Sequence, residues 1–352
     1  MGTQEKSKTF INTKGEIIFF GLQHFLDDIA KGDCCFICGA QSGSKDFNDE
    51  HVIPDWILQK YKLHNKFVTL PNKTKFRYGQ YKIPCCVDCN SELGKNYEKP
   101  ISRLLSKSYS EICDTINKEP QIIKLLFKWL SLIFLKTHIK DKTLLANRNP
   151  NIGTGYIADE YYWEEIHHIH CIARSHYTKA IIDDKVYGSV FILPSLKVDK
   201  LGGFDFIDSP NGKVIMIQLG EFSIISVLDD SCASVSLFNG HIQRIKGPLN
   251  PFQLREIISH LSFINLNLKE NPVYSSSFSP NGDYKINAKL PEKIDLLDKK
   301  EHLFSPGQFL RYYVELIIGD VDDKEQILKE IEEGKRGYLF NKKGEFLTNN
   351  VD

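Results

Sequence analysis

The sequence has no excess of charge of either sign, because its 352 residues include 45 lysines and arginines and 45 aspartates and glutamates. A uniformly basic nucleic-acid coat is therefore excluded, and any contact with nucleic acid must come from a local basic patch. The chain also lacks a glycine-rich phosphate loop and a Gly-x-Ser-x-Gly motif. These absences argue against a P-loop nucleotide hydrolase and against an α/β-type serine hydrolase.

A secretory signal is not evident at the N-terminus, which lacks a basic start, an apolar core and a small-residue cleavage site. The most apolar segment, QIIKLLFKWLSLIFLKTHIK, contains Lys124, Lys128 and Lys136. Each lysine would cost about 2.5 to 3.5 kcal/mol at the centre of a bilayer. We therefore predict a cytoplasmic protein with no membrane partner, in which residues 119 to 140 form a buried helix.

Cysteine is present in a pattern that indicates metal binding. Six of the nine cysteines lie in two clusters, CCFIC at 34–38 and CCVDC at 85–89. In a large chain without a secretory signal, such clusters favour a metal site over disulfides. Two Cys-x-x-Cys turns can present four thiolates to a structural zinc ion and leave no coordination position open. The predicted zinc ligands are Cys35, Cys38, Cys86 and Cys89.

The first residue of each cluster makes the register ambiguous. Cys34 and Cys85 offer an alternative to Cys35 and Cys86, shifted by one residue. We choose Cys35 and Cys86 because only this register keeps the Cys-x-x-Cys spacing in both clusters.

Polar residues flank the two clusters in a distinctive order. The segment NDEHVIPDWIL places Asp49, Glu50 and His51 in succession after the first cluster, and Asn90 follows Cys89 directly. The order of Cys-x-x-Cys, an acidic residue with histidine, and Cys-x-x-Cys-Asn with CNSELGKNYE resembles that of the HNH, or ββα-metal, endonucleases. It is most similar to their zinc-stapled phage endonuclease VII branch. The resemblance covers about residues 34 to 100.

The resemblance implies roles for three residues. His51 would be the general base, Glu50 the carboxylate ligand of a catalytic Mg²⁺ or Mn²⁺ ion, and Asn90 an amide ligand of the same ion. The chemistry of phosphodiester hydrolysis agrees with these roles, because histidine titrates near neutral pH and hard cations prefer oxygen ligands.

Two positions depart from the family pattern. The middle asparagine of the HNH motif is missing; Gln80 or Tyr81 occupies its place, and only Gln80 offers an amide. The acidic residue before His51 is glutamate rather than the common aspartate, with Asp49 beside it as the alternative ligand.

A basic segment lies between the two halves of this motif. From Gln59 to Lys82 the sequence has no acidic residue, and aromatic residues alternate with basic ones. Such a segment favours contact with phosphates, with the aromatic rings either packing in the protein or stacking on bases. The predicted nucleic-acid-binding residues are Lys60, Lys62, Lys66, Lys73, Lys75, Arg77 and Lys82.

We predict an α+β fold with two domains. Residues 1–108 would form a zinc-stapled ββα-metal nuclease domain that starts with a hairpin turning at Lys14-Gly15 and a short helix from Leu22 to Ile29. Residues 109–352 would form a larger mixed accessory domain with antiparallel strands and flanking helices, which senses a signal or recognises a target.

Within the accessory domain, residues from about Tyr161 to Gly247 are predicted to form successive strands, including SVSLF and a hairpin at Asn211-Gly212. The histidines of EEIHHIHCIARSHY are interpreted as exposed or satisfied in the core. Asn250-Pro251 and Ser305-Pro306, the latter followed by Gln308, are predicted helix starts.

The leading hypothesis is a metal-dependent HNH endonuclease that hydrolyses nucleic acid, DNA before RNA, in restriction or antiphage defence. An activating partner or ligand would act at residues 109–352. The alternative is a zinc-stapled nucleic-acid-binding or interaction protein whose nuclease site has decayed, which the missing asparagine favours. The joint presence of Glu50, His51 and Asn90 favours the nuclease, because a purely structural zinc ribbon needs none of them.

Overall fold

The computed structural model describes residues 8–147, 149, 151, 153–197, 202–279 and 282–348. Backbone contacts divide them into two compact units. The first contains the described parts of Met1–Ser106, Lys124–Val186 and Tyr274–Asn287, and the second contains those of Lys107–Ile123, Tyr187–Val273 and Ala288–Asp352. The predicted boundary at residue 108 lies next to the first of these divisions, but later parts of the chain also belong to the first unit.

The first unit begins with a hairpin and a short helix. Strands β1 (Phe10–Ile11) and β2 (Ile17–Phe19) pair in antiparallel fashion around Gly15, whose φ of 79° is a conformation that glycine adopts without strain. Helix α1 (Leu22–His24) continues as a π-helical segment over Phe25–Lys31. The predicted hairpin and the predicted helix are both confirmed.

The centre of the first unit is a strand pair followed directly by a helix. Strand β3 (Phe47–His51) pairs antiparallel with a later strand, β6 (Lys82–Cys86), and helix α3 (Val87–Leu93) follows β6 without a gap. The register sets His51 opposite Lys82 and Phe47 opposite Cys86. Between β3 and β6 lie helix α2 (Asp55–Lys60) and a hairpin of β4 (Phe67–Thr69) and β5 (Lys75–Arg77).

Later helices complete the first unit. Helix α3 continues through a π-helical segment, Gly94–Glu98, into α4 (Lys99–Leu105). After α5 (Tyr109–Lys118), which belongs to the second unit, comes α6 (Gln121–Asp141), so the predicted long buried helix is confirmed. None of the described helices combines the length and apolar character that crossing a bilayer requires.

The predicted strands after Tyr161 are wrong for the histidine-rich segment, which forms α7 (His167–Ala173) and α8 (Ser175–Thr178). Ile166, Ile169 and Ile172 are buried, and their spacing of three residues matches a helix rather than the two-residue period of a strand. The prediction for the histidines of α7 holds in part: His170 Nε2 is hydrogen-bonded to the Phe36 carbonyl and His168 stacks on Tyr274, but the buried His170 Nδ1 has no hydrogen-bond partner among the described residues.

A small sheet of order β12-β13-β7 contains strands from distant parts of the chain. Its members are β7 (Ile181–Ile182), β12 (Val273–Phe278) and β13 (Tyr284–Lys289), and β13 runs parallel to β7.

The second unit is built on a four-stranded antiparallel sheet of order β8-β11-β10-β9. Its strands are β8 (Val190–Pro194), β9 (Phe204–Ser209), β10 (Val214–Leu219) and β11 (Phe222–Val227). The predicted turn at Asn211-Gly212 is confirmed, because it joins the antiparallel strands β9 and β10. Every residue of β10 and β11 is buried.

Helices accompany this sheet. They are α9 (Ala233–Ile242), α10 (Pro251–Leu266), α11 (Pro306–Glu315) and α12 (Lys324–Glu332). Capping boxes at Asn250 and Ser305 confirm the predicted starts of α10 and α11. SVSLF, predicted as a strand, lies in α9 instead; the Asp230 carboxylate accepts a hydrogen bond from the backbone of Ser234 in its first turn and favours the helix. The α+β class is confirmed.

Candidate functional site

Four cysteine sulfurs come together between the two Cys-x-x-Cys turns. The Sγ atoms of Cys35, Cys38, Cys86 and Cys89 all lie within 4.8 Å of one another. This is the predicted register, and neither Cys34 nor Cys85 belongs to the group. The four cysteines therefore form a cluster that could bind zinc, from a loop before β3, the end of β6 and the first turns of α3.

The first cysteine turn depends on a glycine. Gly39 follows Cys38 with a φ of 76°, and its backbone N–H donates to the carbonyl of Cys35. A Cβ atom at this position would come within 2.6 Å of the Phe20 ring. The turn therefore needs glycine both for its backbone conformation and for its packing.

The crowded thiols cannot all ionise without a cation. The pKa of Cys35 is lowered, first because Cys38 donates a hydrogen bond to its sulfur, with Cys85 and Cys89 adding to the effect. The pKa of Cys38 is raised to about 12, first by its hydrogen bond with Cys35. A cation that accepts four thiolates removes this conflict, and a four-sulfur donor set fits zinc.

Two buried side chains of α7 and its C-terminal end hold the first cysteine turn. The Nε2 atom of His170 lies 2.8 Å from the carbonyl oxygen of Phe36. The guanidinium of Arg174 donates to the carbonyls of Ile37 and Ile17. Both side chains bind carbonyls next to the cluster, so they support the fold and leave the sulfurs available.

Glu50 is buried in an ion pair that the sequence did not reveal. The Nζ atom of Lys136 lies 2.6 Å from Glu50 Oε1 and 2.7 Å from the carbonyl oxygen of His51. Lys136 is fully buried on α6. The other oxygen of Glu50, Oε2, has no hydrogen bond to the residues that the structure describes.

Asn90 contacts strand β3 through Asn48 rather than through Glu50. Its Nδ2 atom donates to Asn48 Oδ1 at 2.8 Å, which leaves its own oxygen for another partner. Strand alternation puts Asn48 and Glu50 on the same face of β3 and the alternative ligand Asp49 on the other. A hydrogen bond thus connects Asn90 with Asn48, which lies on the same face of β3 as Glu50.

His51 ends β3 with a side chain that is 19% exposed. Its pKa is lowered, first by burial and then by the nearby charge of Lys82, while Asp55 and Glu50 oppose the shift. The imidazole is therefore neutral at neutral pH, as a general base must be.

Two further side chains near His51, those of Asp55 and His64, were not predicted from the sequence. Asp55 Oδ1 lies 3.9 Å from His51 Nε2 and 2.8 Å from His64 Nε2. Burial would raise the pKa of Asp55, but hydrogen bonds from His64 and Gln59 outweigh it, and the pKa is lowered. No short motif links these positions, although the histidine stands out in a segment of lysines.

Glu98 adds a third carboxyl group near the site. Burial first, and then the charges of Glu50 and Asp55, raise its pKa to about 7, while Lys136 opposes the shift. Its position in the π-helical segment after α3 lies outside the motif, which explains why the sequence did not indicate it.

The two residues at the position of the missing motif asparagine lie in different environments. Gln80 is exposed in a 3₁₀ turn before β6. Tyr81 is buried, and its hydroxyl donates to Asp141 at 3.4 Å.

The basic segment exposes most of its charges. Lys60, Lys62, Lys66, Lys73, Lys75 and Arg77 are exposed, and Lys82 is half-buried. Tyr78 and Tyr81 pack in the core, whereas Phe67 is 52% exposed with the Arg77 guanidinium 5.9 Å from its ring centre. Tyr78 and Tyr81 therefore pack in the protein, which is one of the two predicted roles of the aromatic rings. The exposed ring of Phe67 is available for the other role, stacking on a base.

Comparisons with protein-family models, curated proteins and solved structures found no match to this chain.

Proposed function

We propose that this protein is a metal-dependent endonuclease of the HNH type that hydrolyses phosphodiester bonds, with DNA as the first expected substrate. The observation that carries the proposal is the β3–β6–α3 arrangement. Its cysteine cluster lies at one end, a half-buried histidine ends the first strand, and an asparagine lies in the helix against the same strand.

In this proposal the cysteine cluster holds a zinc ion that only stabilises the fold. His51 takes the proton from the attacking water, which its lowered pKa allows at neutral pH. Glu50 and Asn90 hold a Mg²⁺ or Mn²⁺ ion, which supplies positive charge to the phosphate and the leaving oxygen. Oxygen donors fit such a hard cation, and Glu50 Oε2 and the Asn90 oxygen are the atoms available for it.

The basic segment provides the contact with the substrate. Its exposed lysines and Arg77 would neutralise phosphates, and Phe67 would stack on a base. The second unit carries none of these residues, and we assign to it the recognition of an activating partner or ligand, as in a restriction or antiphage defence protein.

One observation favours the alternative function, a zinc-stapled nucleic-acid-binding protein with a decayed site. The Lys136 ammonium already neutralises Glu50 and pairs with Oε1, one of the two carboxylate oxygens that a catalytic ion would use. A lysine that permanently replaces the ion would leave binding without hydrolysis.

Cleavage assays test the two functions directly. The zinc-loaded protein is incubated with supercoiled plasmid, single-stranded DNA or RNA, in Mg²⁺, Mn²⁺ or EDTA. We expect cleavage that requires the divalent ion and is lost in His51→Ala, with unchanged zinc content. His24→Ala is the matched control, because His24 also pairs with an aspartate four residues later.

Nucleic-acid binding by a protein that neither cleaves these substrates nor holds Mg²⁺ or Mn²⁺ beside its zinc ion would overturn the nuclease proposal in favour of the alternative. Cleavage of RNA but not DNA would keep the mechanism and change the substrate.

A further inference from the structure

His51, Asp55 and His64 form a second group of metal-ligating side chains. One ligand atom from each lies within 4.8 Å of the other two. The His51 and His64 rings meet edge to face, with centroids 6.2 Å apart. The three residues belong to β3, α2 and the loop after α2, so the group depends on the tertiary fold.

The surrounding structure holds the Asp55 side chain and the backbone of His64 in place. Gln59 donates to Oδ2 of Asp55, which leaves Oδ1 directed toward the histidines. The Gly79 N–H donates to the His64 carbonyl at 3.1 Å, and a Cβ atom at residue 79 would lie 2.8 Å from that oxygen. This close approach fixes the backbone of the loop that carries His64, whereas the Gln59 hydrogen bond orients the Asp55 carboxylate itself.

The donor atoms of this group differ from those of the cysteine cluster and from those of Glu50 and Asn90. Two imidazole nitrogens and one carboxylate suit Zn²⁺, Co²⁺ or Ni²⁺, whereas an oxygen-only set suits Mg²⁺. A tetrahedral ion with bonds of about 2.1 Å separates its donor atoms by about 3.4 Å. The His64–Asp55 and His51–Asp55 donor separations of 2.8 and 3.9 Å lie on either side of this value, and the two histidine donors lie within 4.8 Å of each other.

We propose that His51, Asp55 and His64 form a binding site for a divalent transition metal ion. The ion would occupy the Nε2 lone pair of His51 and thereby block its use as a base. This regulatory part rests on the proposed nuclease function, whereas the binding part does not. The site would make zinc an inhibitor of a reaction that Mg²⁺ supports.

Binding is tested with the full chain after the cysteine cluster has been filled with zinc. Co²⁺ and Ni²⁺ are titrated while absorption and heat are recorded. We expect one additional site without the sulfur-to-cobalt charge-transfer bands that a cysteine site would show. His64→Ala and Asp55→Asn should each weaken binding at least about 10-fold.

His24→Ala is the control for this titration. His24 Nε2 lies 2.7 Å from Asp28 Oδ2, so it resembles the His64–Asp55 pair without a second histidine. The variant should bind the additional ion as the wild type does. Equal binding by the wild type and His64→Ala, or no additional site in the wild type, would overturn the proposal.

Inhibition is tested separately, with each protein compared with its own Mg²⁺-supported cleavage rate. Added Zn²⁺ should inhibit the wild type at a concentration about 10-fold or more below that needed for His64→Ala. Binding without inhibition would refute only the regulatory part. If the wild type cleaves no substrate, the titration alone decides the metal site, so the two failures remain distinguishable.

Discussion

The buried Lys136 ammonium joins the two residues at the end of β3. It bonds both the Glu50 carboxylate and the His51 carbonyl oxygen, and it has no exposed surface. Removing two charges from water is costly, and only close pairing offsets that cost. The pair therefore ties α6 to the candidate site, and either residue without the other would be destabilising.

A double-mutant cycle tests this pair. Lys136→Met removes the ammonium and leaves the Glu50 charge buried, so we expect a loss of about 3–5 kcal/mol in the free energy of unfolding. Glu50→Gln in the same background removes the unpaired carboxylate charge and should restore part of the lost free energy of unfolding. Urea denaturation of the zinc-loaded proteins at pH 7 measures both effects.

Lys124→Met is the control, because Lys124 pairs with Asp184 at an exposed position. Its loss should cost about 1 kcal/mol or less. If Lys136→Met is as stable as the wild type, the buried pair does not exist in solution.

Residues that lie in short motifs could be predicted from the sequence. Residues that contact those motifs from distant parts of the chain could not. The cysteines and His51 stand in recognisable local patterns. Lys136 is 86 residues from Glu50, and in the sequence it only interrupted an apolar helix. Asp55 and His64 come together because α2 and the loop after it turn back toward β3, and no local pattern specifies that turn.

At the level of elements, the cysteine cluster connects the loop before β3 with the start of α3. Cys89→Ser should abolish tight zinc binding and lower the melting temperature of the first unit, because metal binding supplies folding free energy. Cys34→Ser is the matched control: it lies beside a ligand but outside the cluster, so zinc content should be retained.

Zinc content by metal analysis and thermal unfolding with and without a chelator are the measurements. Unchanged melting of Cys89→Ser would contradict the structural zinc site. Loss of zinc in Cys34→Ser would instead support the shifted register.

The β4–β5 hairpin has two different faces. Val68 and Phe76 face each other across the pair and are at least half-buried, whereas Phe67 lies opposite Arg77 on an exposed face. The exposed face also carries Lys75. A positive face with one accessible ring is suited to a phosphate backbone and a neighbouring base.

Substitutions on this face should weaken binding in different ways. Arg77→Ala should reduce DNA affinity and lower the slope of log affinity against log salt by about 1, because one phosphate contact is lost. Phe67→Ala should cost about 1–3 kcal/mol with single-stranded DNA and leave the salt slope unchanged. Fluorescence anisotropy at several salt concentrations separates the two.

Lys14→Ala is the control for the hairpin, since Lys14 is exposed in the β1–β2 turn. If it weakens binding as much as Arg77→Ala does, the hairpin is not the specific contact surface.

Elements with strong local signals were predictable, and the others were not. Capping boxes specify the starts of α10 and α11 within four residues of chain. In α7, the histidines between the isoleucines hid the three-residue spacing of the buried side chains. The separation of the first unit into distant segments depends on contacts that no local signal carries.

On the scale of the whole molecule, the first unit is discontinuous in sequence. Residues 124–186 supply most of α6 and all of α7, and polar side chains in or just after these helices bind the backbone of the N-terminal segment. Lys142 donates to the carbonyls of Ile29 and Gly32, just as Arg174 and His170 bind the carbonyls of Ile37 and Phe36 in the first cysteine turn. These carbonyls would lose their partners in a chain that ended at residue 108.

A truncation series tests whether residues 1–108 form a domain by themselves. Without α6 and α7, Ile29, Ile37 and Glu50 lose the partners described above, so zinc alone should not produce cooperative folding of this fragment. A fragment of residues 1–186 restores those partners and should show a cooperative melting transition and slow amide exchange around β3 and β6. Circular dichroism and hydrogen exchange of zinc-loaded fragments provide the comparison. A cooperative transition of residues 1–108 at the temperature seen for residues 1–186 would show instead that the N-terminal segment is an independent domain and that the later helices only attach to it.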